Sequence, residues 1–491
     1  MTKLTHRYIA RIVVEAKTAL FIGTGETSLL KDALVVKDAN GWPIIPGTSI
    51  TGVLRHALED AIEEKQKYKE IFGYQVGDKG LGSRLIVSNG HMMISEKIVA
   101  EGLMNEDYAT VLAKFDNLPT RQHVKISAKG AAAKGGLFDN EVVYKGTRFM
   151  FEIELKGTSE DKEIWNKILE TISDPLFRIG SGTRNGYGNL EILGDLSYNK
   201  DLDLSIAADF DAYLNHPASL NTTISGENLA LKHDSSLTHY ILDLTPDDFF
   251  IFSEGHGDDE TDNKPVQEEI VVYNSDGFTF KSFTLIPGSS IKGAIAHRTA
   301  FHYNKLKERY AEELIPKLTY QIASDLYCGS GNKAVNQLFG LGSGFEFEIE
   351  TKNKIKNGYN DYDLTGDSRR GHIIIDDIYL NDNEVDNSKI FNHVAIDRFT
   401  GGAMDTALFS EKVSHLKEGK EKIQIDLYLD KDNIDKLSIK AFENALIDIT
   451  KGLLPLGGMT TKGHGMFTGT LTKVTPINKV EESVNQYHLK Y

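Results

Sequence analysis

The stretch "IPGTSITGVLR" (residues 45–55) recurs almost unchanged as "IPGSSIKGAIA" (residues 286–296). In each copy a Pro-Gly pair and two hydroxyl residues precede apolar residues at helical spacing. We call this stretch the Pro-Gly motif. It predicts a helix that begins after the Pro-Gly pair, with Thr48 or Ser49 as the N-cap of the first copy.

Four further blocks recur in the same order around the two Pro-Gly motifs. They are an alternating strand at 7–25 and 239–257, "IFG" or "LFG" at 71–73 and 338–340, a Gly-rich segment at 123–141 and 393–411, and a second one at 179–190 and 456–467. Five blocks in register indicate a duplicated chain. We therefore predict two domains, at 1–194 and 237–475, a polar linker at 195–236, a surface insertion at 341–371 and a C-terminal tail at 476–491.

The periodicity within one copy predicts the order β-α-β-β-α-β. This is the ferredoxin-like arrangement, which RNA-recognition modules also use. The predicted class is α+β: two tandem ferredoxin-like domains with loop insertions.

Composition limits the function classes. The chain has 491 residues, a formal net charge of −16 and one cysteine. This charge argues against a general nucleic-acid coat, although a local basic groove remains compatible with it. The single cysteine excludes an internal disulfide, and no signal peptide or membrane-length apolar run is apparent. We expect a cytoplasmic protein with no membrane partner.

Two of the repeated features suit phosphate groups. A helix N-terminus offers unpaired N–H groups and a positive dipole end. In "GSGTRNGYG" (residues 180–188) the glycines let N–H groups converge on an anion, whereas the spacing and the position between helix and strand do not match a dinucleotide fingerprint. A capped helix start and a Gly-rich turn packed on the first helix are the structural alternatives. The candidate RNA-binding residues are Ser49, Arg55, Gly182, Arg184, Asn185, Ser290, Lys292, Thr460, Lys462 and His464.

The segments at 125–136 and 396–407 combine glycines and small residues with scattered cations. This composition suits an extended hairpin along a nucleic-acid strand, and a flexible loop is the alternative. Lys125, Lys129 and Arg398 are the candidate contacts.

One loop acid stands out in "LLKDALVVKDANG" (residues 29–41). Asp32 precedes a predicted strand, as an acid would if it aligned a hydroxyl, a water or a divalent cation; a solvated loop carboxylate is the alternative. The second copy is crowded with acids here, and its candidates are Asp258, Asp259, Asp262 and Glu268. Glu268 has the same spacing to a Val-Val pair as Asp32 has.

The ordered set "LFIGTG", "DALVVKD", "IPGTSITGVLR", "IFG", "HVKISAKGAAAKGGLF" and "GSGTRNGYG" resembles the RAMP superfamily of CRISPR systems. It is most similar to the backbone subunits of type III (Csm/Cmr-type) effector complexes, here as a tandem pair. The resemblance implies ferredoxin-like palms with projecting thumb hairpins. It further implies a guide RNA, a complementary target RNA and other complex subunits as partners.

The resemblance also implies metal-dependent cleavage of the target RNA, with Mg²⁺ as the expected cofactor. Asp32 occupies the position of the family's catalytic acid, which supports attack by the adjacent 2′-hydroxyl and leaves a cyclic phosphate. The copies depart from the family pattern in different ways: Thr51 replaces a lysine that the second copy keeps as Lys292, and the second copy has Ala296 where the first has Arg55. The second copy also lacks a clean "D-x-x-V-V-K-D", which leaves its cleavage site open.

Two other functions remain alternatives at this stage. A guide-processing endoribonuclease of a sister class would use a histidine, and His56 and His297 occupy matching helix positions. A structural RNA-binding subunit would carry out no chemistry.

Overall fold

The computed structural model describes residues 3–28, 31–59, 61–104, 112–127, 130–224, 226–229, 237–253, 255, 257–274, 277–310, 312, 319–329, 331–341, 368–475 and 486–488. We call 3–229 the first half and 237–488 the second half. Lys129, most of the expected insertion at 341–371 and most of the tail lie outside the described residues. Within the described ranges, no helix has the length and apolar content needed to cross a membrane.

The first half is built from short and medium strands and helices. Its strands are His6–Ala16 (β1), Tyr74–Val76 (β2), Lys79–Leu81 (β3), Leu85–Val87 (β4), His91–Met92 (β5), Thr120–Ile126 (β6), Ala132–Glu141 (β7), Arg148–Gly157 (β8), Leu190–Ile192 (β9), Tyr198–Asp203 (β10) and Glu227–Asn228 (β11). Its helices are Gly47–Leu58 (α1), Lys65–Phe72 (α2), Lys162–Ile172 (α3) and Ala207–Leu214 (α4).

The second half repeats this plan with longer hairpins. Its strands are Thr238–Pro246 (β12), Gln267–Asn274 (β13), Gly277–Ile286 (β14), Gly340–Leu341 (β15), Arg369–Arg370 (β16), Ile373–Ile375 (β17), Ile378–Leu380 (β18), Val385–Ile396 (β19), Ala403–Leu416 (β20), Ile423–Leu429 (β21), Phe467–Val474 (β22) and Gln486–His488 (β23). Its helices are Gly288–Leu306 (α5), Tyr320–Tyr327 (α6), Lys333–Phe339 (α7) and Lys436–Thr450 (α8).

The main sheets of the two halves have the same order. In the first half β8 and β9 flank β1, and β4 and β5 lie on the outer edge of β8 as one interrupted strand. In the second half β21 and β22 flank β12, and β17 lies outside β21. All of these pairings are antiparallel. The predicted α+β class is confirmed.

The segment expected to be a linker is packed against the first half. β10 pairs with the beginning of β1, and the Oγ of Ser197 accepts from the backbone N–H of Val13 at 3.0 Å. The guanidinium of Arg11 donates to the carbonyls of Pro217, Ser219 and Thr222 at 2.7–3.1 Å. Polar composition predicted a linker here, and these contacts satisfy part of the segment's polar backbone within the protein.

The Pro-Gly motif works through its glycine. Pro46 is the N-cap and no side chain caps α1, so the expected hydroxyl cap is wrong. Instead the N–H of Gly47 donates to Oδ1 of Asn89 at 3.0 Å, and a Cβ on Gly47 would lie 2.4 Å from the carbonyl oxygen of Val87. The second half repeats this: the N–H of Gly288 donates to Oδ1 of Asp377 at 2.9 Å, and a Cβ on Gly288 would lie 2.8 Å from the carbonyl oxygen of Ile375 at the end of β17. Each main helix can begin here because its first residue has no side chain.

The two halves share apolar packing. The β13–β14 hairpin of the second half lies on the first half's core: Val271 is buried there, and Phe278 and Phe280 pack edge-on or tilted around Phe115, which is fully buried. The core of the second half is otherwise a separate cluster between its sheet and the α5 and α8 helices. The hairpin therefore fixes one half against the other.

Candidate nucleic-acid interface

Asp32 lies exposed in the first acid loop, which we define as residues 24–34. Its N–H donates to Oδ1 of Asp139 on β7 at 2.7 Å, and the N–H of Asp139 donates to Oδ2 of Asp32 at 3.0 Å. The carboxylate of buried Glu141 accepts from Nζ of Lys31 at 2.9 Å and from the backbone N–H of Val35, just after the loop, at 3.0 Å. The loop is thus held on both sides of a carboxylate that remains exposed.

The second acid loop (residues 254–264) is closed in the same way as the first. Isolated bridges pair Gly23 with Val35 in the first half and Ser253 with Pro265 in the second half. Ser253 follows Gly23 by as many positions as Pro265 follows Val35, so the two loops have equal length and align without a gap. The residue that occupies the place of Asp32 is Asp262.

The contacts of Asp262 repeat those of Asp32. The N–H and Oγ of Ser410 on β20 donate to Oδ2 of Asp262 at 2.8 and 3.0 Å, and the N–H of Asp262 donates back to the Oγ at 3.1 Å. The hydrogen bonds from Ser410 hold the pKa of the Asp262 carboxyl below its usual range. Each half therefore places one exposed carboxylate against the same edge of its long hairpin.

The other three candidate acids of the second half do not occupy the position that corresponds to Asp32. Asp258 accepts from Nζ of Lys412 at 2.8 Å and from two backbone N–H groups of its own turn at 3.0 Å, and these contacts lower its pKa. Asp259 is exposed. Glu268, singled out by its spacing, is buried on β13 and pairs with Arg121 of the first half. Its carboxylate is therefore engaged at the junction of the halves.

The long hairpins β6–β7 and β19–β20 pair with no other strand of the described residues. Their formation confirms the hairpins predicted from the Gly-rich segments. Lys125 lies exposed on β6, and Arg398 lies exposed at the turn between β19 and β20. Large apolar side chains are also exposed along them: Val124, Ile126, Leu137, Phe138, Val394, Ile396, Phe399, Met404 and Leu408.

The glycine loops, residues 180–188 and 457–465, pack on the segment that follows β1 or β12. A Cβ on Gly180 would lie 2.2 Å from the carbonyl oxygen of Phe21, and one on Gly457 would lie 2.3 Å from that of Ile251. The structural alternative from the sequence was a Gly-rich turn packed on the first helix; in the structure these glycines instead lie against the segment that follows β1 or β12. Gly182 has a positive φ of 70° and lies against the ring of Tyr187.

The side chains of the second glycine loop divide between surface and interior. Thr460 is partly buried, and Lys462 is exposed with Nζ 5.4 Å from the ring centre of Phe409 on β20. His464 is buried, and its Nε2 lies 3.5 Å from Oε1 of buried Glu411. His464 thus faces a protein carboxylate.

The helix that follows each Pro-Gly motif presents its candidates differently. Ser49 is partly buried in the first turn of α1, whereas Arg55 and Ser290 are exposed. The hydroxyl of Thr51 donates to the carbonyl of Gly47 at 2.8 Å, so it serves the helix itself. Lys292 instead points across the junction, where its Nζ donates to Oδ1 of Asn185 at 2.9 Å.

The two helix histidines differ in environment. The ring of His56 is 88% exposed and lies 4.0 Å from Glu59, one turn along α1. His297 is partly buried, and desolvation lowers its pKa. The pair does not share a common environment despite its matching sequence positions.

The sequence did not single out several residues of this surface. Asp139, Ser410 and Arg121 each contact a partner more than a hundred positions away. The available signal for Asp139 was its place in the repeated block at 123–141, two residues before Glu141 in "LFDNE".

A divalent cation is compatible with the first acid loop. Asp32 and Asp139 bring two carboxylates together, and Mg²⁺ is usually held by one or two carboxylates together with waters and substrate phosphates. The described residues contain no cluster of three or more histidine, cysteine or acidic ligands. The two carboxylates therefore suit a cation whose remaining ligands are waters or the phosphate oxygens of a ligand.

Comparison with known proteins identifies the family to which the chain belongs. The family model of the RAMP superfamily matches residues 13–191 and 273–468. The protein named "CRISPR system Cms endoribonuclease Csm3" from Methanocaldococcus jannaschii is 29% identical over 215 residues, which cover 38% of this chain and 79% of that protein. A chain of a solved structure, "Type III-B Cmr-beta Cryo-EM structure of the Apo state", has 14% identity and a TM-score of 0.30, covering 38% of this chain and 98% of that one. That structural likeness is too weak to bear on fold or function. The two matched regions include the first acid loop, both Pro-Gly motifs and both glycine loops, whereas the second acid loop lies before the second matched region. The chain belongs to the RAMP superfamily.

Proposed function

We propose that this chain is a tandem backbone subunit of a type III CRISPR effector complex that holds guide RNA and cleaves complementary target RNA. The observation that carries the proposal is the duplicated placement of Asp32 and Asp262 against the edge of a long hairpin. Membership of the RAMP superfamily and the similarity to a protein named an endoribonuclease support it.

We further infer that each half is a ferredoxin-like palm whose long hairpin is the thumb. The support is the shared sheet order, in which the first and third strands of the β-α-β-β-α-β series are central and adjacent. The Pro-Gly helices and the glycine loops would line the guide-binding face, and the acid loops would lie where the thumb leaves the palm.

The proposed reaction needs an aligned 2′-hydroxyl. Its oxygen attacks the adjacent phosphorus, the bond from phosphorus to the 5′-oxygen breaks, and that oxygen takes a proton from water. The products are a 2′,3′-cyclic phosphate and a 5′-hydroxyl. Asp32, held rigidly by Asp139, would accept the proton of the 2′-hydroxyl directly or through one water. A bound Mg²⁺ would stabilise negative charge on the phosphate oxygens. Asp262 would do the same in the second half.

The test uses the assembled complex with its guide and a complementary target RNA labelled at one end. The two halves lie at different positions along the guide, so we expect two cleavage positions. Asp32→Ala should remove one product and Asp262→Ala the other, each by roughly 10²–10⁴-fold in rate.

Asp259→Ala is the matched control, because Asp259 is an exposed acid of the same loop without the hairpin contact. If the Asp32 and Asp262 variants both cleave at the rate of the unaltered complex, the chain is a non-catalytic subunit. Site-specific cleavage of repeat RNA by the isolated chain would instead identify a guide-processing enzyme, and that cleavage should then depend on His56 or His297.

A further inference from the structure

A group of cations meets at the junction of the halves. Arg178 and Arg184 come from the first half, in and beside its glycine loop, and Lys292 and Arg370 come from the second half. Arg370 and Arg178 both lower the pKa of Arg184, and Arg184 lowers that of Lys292. All four positive charges therefore act on one small region.

Among the described residues, two carboxylates oppose these four cations. Asp376 pairs with Arg178 at 2.6 Å, and Asp430 is the carboxylate that opposes Arg370 and Arg184. Burial and the neighbouring cations lower the pKa of Arg184 to about 9, and burial and Arg184 lower that of Lys292 to about 8. Charges that repel each other in a partly buried space cost free energy unless an anion binds among them.

Arg184 also lacks hydrogen-bond partners. Its Nε and Nη1 atoms are shielded from solvent and have no acceptor among the described residues. Buried guanidinium nitrogens are nearly always paired, and these two N–H groups remain able to donate to a bound anion. Each of these atoms carries an N–H group that can donate to a phosphate oxygen.

Two further features of the junction favour a phosphate group. The helix α5 has 19 residues and begins at Gly288, two residues before Ser290 and four before Lys292, and the dipole at its N-terminus favours an anion. Asn185 already accepts from Lys292 through Oδ1 at 2.9 Å, so its Nδ2 remains as a donor beside the two cations.

We propose that the glycine loop of the first half and the Pro-Gly helix of the second half together hold a single phosphate group of the bound RNA. This inference rests on the proposed function for the identity of the ligand. The two halves are then joined by RNA as well as by protein contacts, and the guide crosses from one half to the other at this point.

The first test is a double-mutant cycle on binding of a labelled single-stranded guide RNA across a series of salt concentrations. Arg184→Gln and Lys292→Gln should each weaken binding by roughly tenfold, as charge-assisted hydrogen bonds do. Each should also reduce the log–log salt slope by about 0.7, the value for one phosphate contact. If both residues grip one phosphate, the double variant should lose little more than either single variant.

Lys462→Gln combined with Lys292→Gln is the control pair. Lys462 lies in the glycine loop of the second half, so it serves a different phosphate and its effect should add to that of Lys292. Strictly additive effects of Arg184→Gln and Lys292→Gln would overturn the shared site while leaving the proposed function intact.

A second measurement does not depend on RNA. Inorganic phosphate at millimolar concentration should raise the Tm of the intact chain, and Arg184→Gln should abolish this increase. Arg184→Gln itself should not unfold the protein, because it relieves repulsion and leaves no carboxylate unpaired. If phosphate stabilises the chain through Arg184 but RNA does not bind, the anion site stands and the proposed function fails. If phosphate has the same effect on the variant, the site fails.

Discussion

Arg121 joins the long hairpin of the first half to the Pro-Gly helix of the second. Its side chain is 10% exposed and contacts the carboxylates of Glu268 and Asp377, which are 5% and 1% exposed. It also donates to the hydroxyl of Tyr379 at 2.8 Å and lies 5.0 Å from the ring centre of Tyr187. Asp377 in turn accepts from the first N–H of α5. We predict that Arg121→Met, which keeps most of the side-chain volume, strongly destabilises the chain.

The magnitude follows from the two carboxylates that the substitution leaves without a cation. Breaking a buried ion pair by removing one partner costs about 3–5 kcal/mol. For a unit of 150–250 residues, 1 kcal/mol lowers Tm by about 2–4 °C, so we expect a decrease of roughly 10 °C.

The destabilisation should depend on pH in a defined direction. Burial raises the pKa of Asp377 to about 6 even with Arg121 beside it, and loss of the cation raises it further. Since this folded-state pKa lies above the unfolded value, the contribution of Asp377 to stability is lost as pH rises through about 6. The difference in unfolding free energy between variant and unaltered chain should therefore be larger at pH 7.5 than at pH 5.5.

Urea unfolding followed by circular dichroism at both pH values measures this difference. Lys162→Ala is the control, because Lys162 forms an exposed ion pair with Asp201 at 2.9 Å and should matter little. The reasoning is refuted if Arg121→Met unfolds at the same urea concentration as Lys162→Ala. It is also refuted if the loss is equal at the two pH values.

Three further predictions concern other parts of the molecule. Gly288→Ala should destabilise the chain by about 1–3 kcal/mol in urea unfolding, because its Cβ would lie 2.8 Å from a carbonyl oxygen. Gly293→Ala should instead stabilise α5 by up to about 1 kcal/mol, because its Cβ would have nothing within 4 Å. Equal effects of the two substitutions on the free energy of unfolding would contradict the close-approach argument. RNA affinity at constant salt should fall between pH 7 and pH 9 as Lys292, with a pKa of about 8, loses its proton, and Lys292→Arg should flatten this profile; an unchanged profile would separate Lys292 from binding. Chelation of divalent cations should stop cleavage at the positions assigned to Asp32 and Asp262 without releasing the guide, and full activity in excess chelator would exclude the metal.

Much of the fold could be predicted from the sequence because the sequence contains the same ordered blocks twice. Each block of the repeat predicts an element, and the agreement between copies fixes their order. The α+β class and the long hairpins follow from this. The contacts of Arg121 were not accessible, because they join residues 147 and 256 positions away.

The sequence left the counterpart of Asp32 open among four acids of the second copy, Asp258, Asp259, Asp262 and Glu268. The spacing to a Val-Val pair favoured Glu268, but that pair lies in β13, within a hairpin of the second half that packs on the first. The strand that actually pairs behind the second acid loop runs through Pro265, and this shifts the correspondence to Asp262. Local spacing cannot reveal which strand closes a loop when an additional hairpin follows it.

A similar shift affects the long hairpins. The turn between β19 and β20 is one residue longer than that between β6 and β7, so an alignment without gaps matches Glu141 with Glu411. In the structure the N–H of Glu141 donates to the carbonyl of Ala33, and it is Lys412 that makes the equivalent bond to Asn263.

The reversal of charge at this position has a consequence for folding. Glu141 binds Lys31 of the first acid loop, whereas Lys412 binds Asp258 and Glu260 of the second at 2.8 and 2.7 Å. If either acid loop docked on the hairpin of the wrong half, cation would meet cation or acid would meet acid. Tandem repeats are prone to such exchange between neighbouring domains during folding. The opposite charges therefore favour docking of each acid loop on the hairpin of its own half, so that the two repeated halves can fold in one chain without exchanging these elements.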